Sequence, residues 1–151
     1  MAVETVAGTT IGISAGVPTT FTAAGYAALT FSTIGEITDG GSHGRTYAEV
    51  THMPIGNRGK QKFKGSFDEG NKTLQLAISG ADAGQVLTKA ALLSDNPYAF
   101  KVLYQGGAID YFQARVMSFA KATAGVDSIL TATVTLALIT SSTGVGIVEV
   151  P

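Results

Sequence analysis

From Arg58 to Asn96 the chain reads RGKQKFKGSFDEGNKTLQLAISGADAGQVLTKAALLSDN. It begins with alternating basic residues, continues through two strand-like segments and ends in the clearest helical pattern of the sequence, at about 82–95. Asp82 is placed to cap the helix by accepting a hydrogen bond from its first turn, and Gln85 three residues later completes a capping box. Asn96 and Pro97 provide the stop. This stretch therefore predicts one helix in a protein otherwise built of strands.

The helix carries an apolar stripe with a spacing of three and four residues. The stripe predicts that the core side of the helix consists of Val86, Leu87, Ala90 and Leu93. Thr88 and Lys89 fall away from this face. We expect the stripe to fill the open side of a β-sandwich or split barrel.

Strand-like segments lie on both sides of the helix, separated by glycine-rich turns. They are Thr9–Ser14, Ala28–Ile37, Tyr47–Ile55, Lys60–Phe67, Lys72–Ser79, Tyr98–Gln105, Ala108–Ser118, Asp127–Thr140 and Ile147–Val150. The pattern predicts a mainly β fold: a two-sheet antiparallel β-sandwich or split barrel with one packed α-helix (about 82–95) and a long protruding hairpin (about 47–67). We expect one domain over 1–151, with an extended N-terminal arm (about 1–27) that holds one short strand and pairs at a sheet edge, and a C-terminal strand (about 145–151).

The totals exclude several classes of protein. The 151 residues contain no cysteine, so disulfides, thiolate nucleophiles and cysteine-bound metals are excluded. Ten basic against 11 acidic residues give a net charge of -1 and no global field for nucleic acid. The first residues show no Sec-type signal, and the apolar run Ile129–Ile139 is too short to span a bilayer, so we expect a soluble protein made in the cytoplasm without membrane attachment.

Candidate catalytic and metal-binding motifs are weak. Gly12–Gly16 has the G-x-S-x-G pattern around Ser14, but the nucleophile elbow needs a strand that runs directly into a helix, which Val17-Pro18 does not offer. The two histidines, His43 and His52, lack a third ligand at a plausible spacing. We therefore expect no catalytic residue, no metal and no cofactor, and a protein that is not an enzyme.

The basic run Arg58, Lys60, Lys62 and Lys64 occupies the second half of the predicted hairpin. Three roles remain open for it: a solvated face, a contact with acidic groups of another subunit, or nucleic-acid binding. Phe63 and Phe67 alternate with the lysines, which predicts one aromatic and one cationic hairpin face. The aromatic face is predicted to belong to the local core, with subunit packing as the alternative.

Several segments together resemble the major tail tube protein of long-tailed, non-contractile bacteriophages. They are Lys62-Phe63-Lys64-Gly65-Ser66, the Leu74 and Leu76 strand, Asp82-Ala83-Gly84-Gln85, Ala24-Gly25-Tyr26-Ala27-Ala28-Leu29 and Ile34-Gly35-Glu36-Ile37. The resemblance extends from about Thr9 to Val148. It implies a virion protein that forms hexameric rings, which stack into a hollow tail tube and conduct phage DNA without binding it specifically. It also implies tail terminator and tip proteins as further partners.

In such a tube one sheet lines the lumen, and the long hairpin bridges neighbouring subunits or rings. The resemblance thus makes Arg58, Lys60, Lys62 and Lys64 candidate subunit contacts. A lumen through which DNA slides should present neutral or acidic groups, so the lumen candidates are Thr131, Thr133 and Thr135, with Asp110 and Gln113 as secondary ones. The alternatives are a ring-forming tube protein of a secretion or contractile injection system and a carbohydrate-binding β-sandwich module, although the chain has no tryptophan.

Overall fold

The computed structural model describes residues 2–151. In chain order the elements are β1 (Thr10–Ser14), α1 (Ala23–Ala27), β2 (Ser32–Thr33), β3 (Ile37–Asp39), β4 (Thr46–His52), β5 (Gln61–Asp68), β6 (Asn71–Ala77), α2 (Ala83–Leu92), β7 (Tyr98–Leu103), β8 (Ile109–Ala122), β9 (Thr131–Ile139) and β10 (Val148–Val150). None of the helices in this described part is long and apolar enough to cross a membrane.

The main sheet is antiparallel and has the strand order β2-β1-β7-β8-β9-β6-β3, with β10 paired to the start of β8. Strand β8 connects its two halves, because its first part pairs with β7 and its longer remainder pairs with β9. A register shift between Val116 and Ser118 bends it there. Strands β4 and β5 form a separate two-stranded sheet. The predicted mainly β, antiparallel split barrel with a packed helix and a long hairpin is confirmed.

Residues 34–36 cross between the two edges of the main sheet. The Ile34 amide donates to the Ile11 carbonyl in β1 (2.8 Å), and the Ala77 amide in β6 donates to the Glu36 carbonyl (2.9 Å). Glu36 is the one non-glycine residue with a positive φ (60°) within residues 2–151. This crossing, together with α2, closes the side of the barrel that the sheet leaves open.

Helix α2 is anchored to the crossing by its first turn. The Asp82 carboxylate caps the helix by accepting from the Gln85 amide (3.0 Å), as predicted, and it also accepts from the Gly35 amide (3.0 Å). The Gln85 side chain does not complete a capping box. Its Nε2 donates to the carbonyls of Gly35 (3.0 Å) and Ala77 (2.9 Å), and its Oε1 accepts from the Ser79 amide (2.9 Å). These bonds satisfy a side chain that is almost fully buried.

The predicted core face of α2 is wrong for three of its four residues. Val86 (53% exposed), Leu93 (89%) and Ala90 face solvent, and Leu87 is half-buried. The buried residues of the helix are Gly84, Gln85, Thr88 and Ala91. The physical reason is that the helix backbone at Gly84 lies very close to the backbone of residues 33 and 34. A Cβ on Gly84 would lie 2.2 Å from the Thr33 carbonyl oxygen, so the helix packs directly on strand backbone along its glycine side.

The predicted N-terminal arm is largely structured. Its strand is present as β1, but β1 is paired on both sides, by β2 and β7, and does not lie at an edge. Residues 23–27 form the short helix α1, which the sequence did not predict, and Tyr26 stacks on Tyr111 with ring centroids 5.3 Å apart. The strand predicted over 28–37 is reduced to β2 and the start of β3, because the chain changes partner from β1 to β6 at residues 34–36.

Leu74→Ala is expected to lower the free energy of unfolding by about 2–5 kcal/mol, because Leu74 is fully buried opposite Val134 in the core. Val86→Ala should change it by less than about 0.5 kcal/mol, since the side chain faces solvent. Urea unfolding of the two variants and the wild type measures both effects. Equal losses in the two variants would contradict the packing of α2 described above.

Candidate assembly surfaces

The β4–β5 hairpin stands apart from the main sheet. Every residue of β4 is exposed, and most of β5 is as well. Large apolar side chains face solvent along it, with Val50 at 49%, Phe63 at 56% and Ile55 fully exposed. A two-stranded ribbon with an exposed apolar face has little stability of its own in water. The hairpin therefore has the properties of a contact element.

The two faces of the hairpin differ from the sequence expectation. Val50 lies opposite Phe63, and this apolar pair is exposed and does not belong to a local core, contrary to the prediction. Between Tyr47 and Glu49 the register shifts, because two residues of β5 oppose one of β4. The bulge moves Phe67 to the lysine face, where its ring lies 5.6 Å from that of Tyr47. The predicted segregation of both phenylalanines from the lysines is wrong.

The basic residues of the hairpin fall into two groups. Lys62 forms an exposed ion pair with Glu49 (3.3 Å), and Lys64 lies 4.8 Å from the centre of the Tyr47 ring. Arg58 and Lys60 lie in the connecting turn, and neither forms an ion pair within residues 2–151. Among the basic residues of the hairpin, Arg58 and Lys60 are thus the two that have neither an ion pair nor an aromatic contact in the described part of the chain.

At its base the hairpin is held by Arg45. The Arg45 Nε donates to the buried Glu69 carboxylate (2.7 Å), and the guanidinium lies 3.8 Å from the centre of the Phe67 ring. The hydrogen bonds that Arg45 donates to Tyr47 and Glu69 are the main causes that raise the pKa of Arg45 above its ordinary value. The hairpin is therefore fixed at its base and projects from the barrel.

A second surface, the threonine face, covers the outer side of β6, β9 and the second half of β8. Thr131, Thr133 and Thr135 lie on it side by side, half-buried. Strand register places uncharged neighbours next to them: Asn71, Thr73, Gln75 and Ala77 from β6 and Ser118, Ala120 and Ala122 from β8. Arg115 lies at one end, where its Nε donates to the Asp95 carbonyl (3.1 Å). The three threonines thus form the centre of an extended neutral surface.

Asp110 and Gln113 do not extend the exposed threonine face. Gln113 shares its register, opposite Ile139, but is buried next to Ala99 of β7. Asp110 lies on the other side of β8, where its carboxylate accepts from Tyr104 OH (2.6 Å) and bonds His43 Nε2 (2.8 Å). Both are therefore wrong as members of an exposed polar face: Asp110 points to the opposite side of β8, and Gln113 is covered by other segments, which strand register alone does not show.

Sequence reasoning missed the polar cluster around Asp110. The buried Lys72 Nζ lies within hydrogen-bond distance of His43 Nδ1 (3.0 Å), and His43 Nε2 lies 2.8 Å from the Asp110 carboxylate, so His43 connects the two side chains. Burial lowers the pKa of Lys72, against the opposing charges of Asp110 and Asp39, and burial with the Asp110 hydrogen bond raises the pKa of Tyr104. A lysine in register with Leu74 and Leu76 on the core side of β6 was the one signal in the sequence.

The catalytic and metal-binding candidates of the sequence, Ser14 and the two histidines, do not form a catalytic or metal site in the described part of the chain. Ser14 is buried in β1, its Oγ accepts from the Gly16 amide (3.2 Å), and β1 does not run into a helix. His52 is exposed on β4 and takes no part in the hydrogen bonds of the cluster around His43. Across residues 2–151 the structure contains no group of three or more metal-ligating side chains. The arrangement is suited to holding the loop before β4 in place.

The fold is similar to that of solved tube-associated proteins. A chain of the anti-feeding prophage (AFP) baseplate superposes with a TM-score of 0.66 at 12% identity, covering 99% of this chain and 97% of that one. A chain from the sheath/tube terminator structure of PVC, an extracellular contractile injection system, superposes with a TM-score of 0.68 at 9% identity, covering 100% of this chain and 99% of that one. The chain of the SPP1 tail tube structure superposes with a TM-score of 0.60 at 14% identity, covering 93% of this chain and 75% of that one.

At identities this low, the TM-scores show a common fold and no more. No curated protein matches the sequence. The family described as "Lambda phage tail tube protein, TTP" matches residues 18–144, which is most of the chain and contains the β4–β5 hairpin, α2 and the threonine face. The protein therefore belongs to the phage tail tube protein family and is a structural component of the phage virion.

Proposed function

We propose that this protein, as one domain, forms hexameric rings that stack into a hollow tail tube. Phage DNA passes through the lumen of this tube without being bound specifically. The observation that carries the proposal is the projecting β4–β5 hairpin, which exposes Val50, Ile55 and Phe63 although its base is fixed by Arg45 and Glu69. A rigidly based hairpin with an exposed apolar face is stabilised when another copy covers it. Arg58, Lys60, Lys62 and Lys64 add positive charge for contacts with acidic groups of that copy.

The threonine face is our candidate for the lumen lining. DNA that slides must not be held by rows of lysine and arginine, because each neutralised phosphate releases counterions and strengthens binding. The hydroxyl, amide and methyl groups of Thr73, Gln75 and Thr131–Thr135 bring no charge to the surface. Antiparallel strands with a covered inner face and an uncharged outer face are suited to line a channel when several copies form a ring.

Thr133→Lys tests the lumen assignment. Thr133 lies at the centre of the threonine face, so a ring of lysines would hold duplex DNA inside the tube and protect it from nuclease. Wild-type tubes should retain no DNA. Retention by the variant should fall by several powers of ten between about 50 and 200 mM salt if many phosphates are contacted.

Ser142→Lys, at an exposed loop residue, serves as the control, and DNA in its presence should remain nuclease-sensitive. DNA that sediments with Thr133→Lys tubes but stays open to nuclease would place this face on the outside.

Negative-stain electron microscopy of the purified protein tests the tube itself. Long hollow tubes about as wide as a ring of six copies support the proposal. Isolated rings would favour a ring-forming protein of a contractile injection system, whose members share this fold. Persistent monomers that bind glycans would favour a carbohydrate-binding module. Tail terminator and tip proteins are the further partners that a tail tube requires.

A further inference from the structure

An open cleft lies at one end of the barrel. It has a volume of about 630 Å³, and we call it the acidic cleft. The N-terminal segment, the β7–β8 turn and the C-terminal strand form its walls. Its lining combines the carboxylates of Glu4, Asp110 and Glu149 with the apolar side chains of Val6, Ala108 and Val150. No lysine or arginine of residues 2–151 lines it.

Two of the three carboxylates are available to a partner. Asp110 is committed to Tyr104 and His43, as described above. Glu4 and Glu149 are exposed, and neither forms an ion pair in the described part of the chain. Val6, which lines the same cleft, is 80% exposed. The acidic cleft therefore combines exposed apolar surface with two unpaired negative charges.

The hairpin tip, residues 53–60, has the complementary chemistry. Ile55 is fully exposed and Met53 is 66% exposed, while Arg58 and Lys60 supply two positive charges. The sequence has no acidic residue from Val50 to Phe67. The turn is shaped in advance, because the Asn57 amide donates to the Pro54 carbonyl (3.2 Å) and the Gly59 amide to Asn57 Oδ1 (2.9 Å). A preformed turn loses little conformational entropy on docking.

The tip does not occupy the acidic cleft of its own chain, since none of residues 53–60 lines it. Two complementary surfaces at different places on one chain make a head-to-tail contact, which joins copies into rings or stacks. We propose that the acidic cleft receives the hairpin tip of a second copy, with Ile55 over Val6 and Val150 and with Arg58 and Lys60 facing Glu4 and Glu149. This pairing rests on the proposed tube function and names the acceptor surface for the hairpin.

Charge exchange between the two surfaces tests the pairing. Arg58→Glu/Lys60→Glu and Glu4→Lys/Glu149→Lys should each remain folded, as judged by circular dichroism, and should slow tube elongation about tenfold or more at low salt. Combining all four substitutions should restore elongation, because the tip and the cleft are again opposite in charge.

The matched control combines Arg58→Glu/Lys60→Glu with Asp95→Lys/Asp127→Lys, which are exposed acidic positions outside the cleft. The cleft exchange and the control each carry four substitutions and keep the wild-type formal net charge of -1, so total charge cannot explain a difference between them. Rescue by the cleft exchange alone supports the pairing. Equal rescue by the control, no rescue by the cleft exchange, or normal elongation of Glu4→Lys/Glu149→Lys overturns it while wild-type tubes still form. Absence of tubes from the wild-type protein would instead overturn the proposed function.

Discussion

Gly84→Ala is expected to destabilise the fold by about 2 kcal/mol or more, although it places the best helix former inside a helix. In a solvated helix the change would stabilise by about 1 kcal/mol. Here a Cβ would lie 2.2 Å from the Thr33 carbonyl oxygen and 2.6 Å from Ile34 Cα. Both are backbone atoms, one at the end of β2 and one in the crossing that follows it, so neither can rotate away. Overpacking of this kind costs about 1–3 kcal/mol and occasionally more, which outweighs the gain in helix propensity.

Gly80→Ala is the matched control. No atom lies within 4 Å of a Cβ at Gly80, and its φ is not in the left-handed region, so its stability should change by less than about 1 kcal/mol. Urea unfolding of both variants at a concentration below assembly gives the comparison. A Gly84→Ala protein as stable as the wild type would show that α2 lies further from β2 than described.

The helix shows how much could be predicted from local sequence. Its position and the Asp82 cap follow from side-chain chemistry within one turn, and both are confirmed. Its orientation was not predictable from the apolar stripe, because the anchoring contacts are a glycine against distant backbone and a buried glutamine that bonds residues 35, 77 and 79. A polar residue counts against a core face in a periodicity argument, but here it determines that face.

The candidate surfaces likewise contain features that local sequence predicts and features that it does not. The hairpin and the alternation of β9 depend on short-range patterns, so the exposed lysines and the row of Thr131, Thr133 and Thr135 could be predicted. The bulge that moves Phe67, the burial of Gln113 and the cluster joining His43 to Asp110 depend on how separate segments of the chain pack together, which local patterns do not contain. The acidic cleft is of the same kind, since the two ends of the chain form its walls around the β7–β8 turn.

Phe63→Ala is expected to raise the critical concentration for tube formation about 30-fold. Phe63 is 56% exposed opposite Val50, which is 49% exposed, so in the free subunit this apolar pair is covered by no other element. An aromatic side chain that becomes buried between subunits contributes about 2 kcal/mol to the contact, and about 1.4 kcal/mol corresponds to a tenfold change in affinity. Sedimentation at a series of protein concentrations measures the threshold.

The folded subunit should tolerate this substitution, which separates assembly from folding. The hairpin is a sheet of its own, and truncating one exposed cross-strand pair costs it about 0.2–1 kcal/mol without opening the barrel. Thr51→Ala, on the lysine face of the same hairpin, serves as the control and should keep the wild-type threshold. The charged tip and the apolar face then have different signatures, because charge reversal slows elongation in a salt-dependent way while loss of Phe63 shifts the equilibrium at any salt concentration. A Phe63→Ala protein that polymerises at the wild-type threshold would remove the apolar face from the contact and leave the tip as the only bridging part of the hairpin.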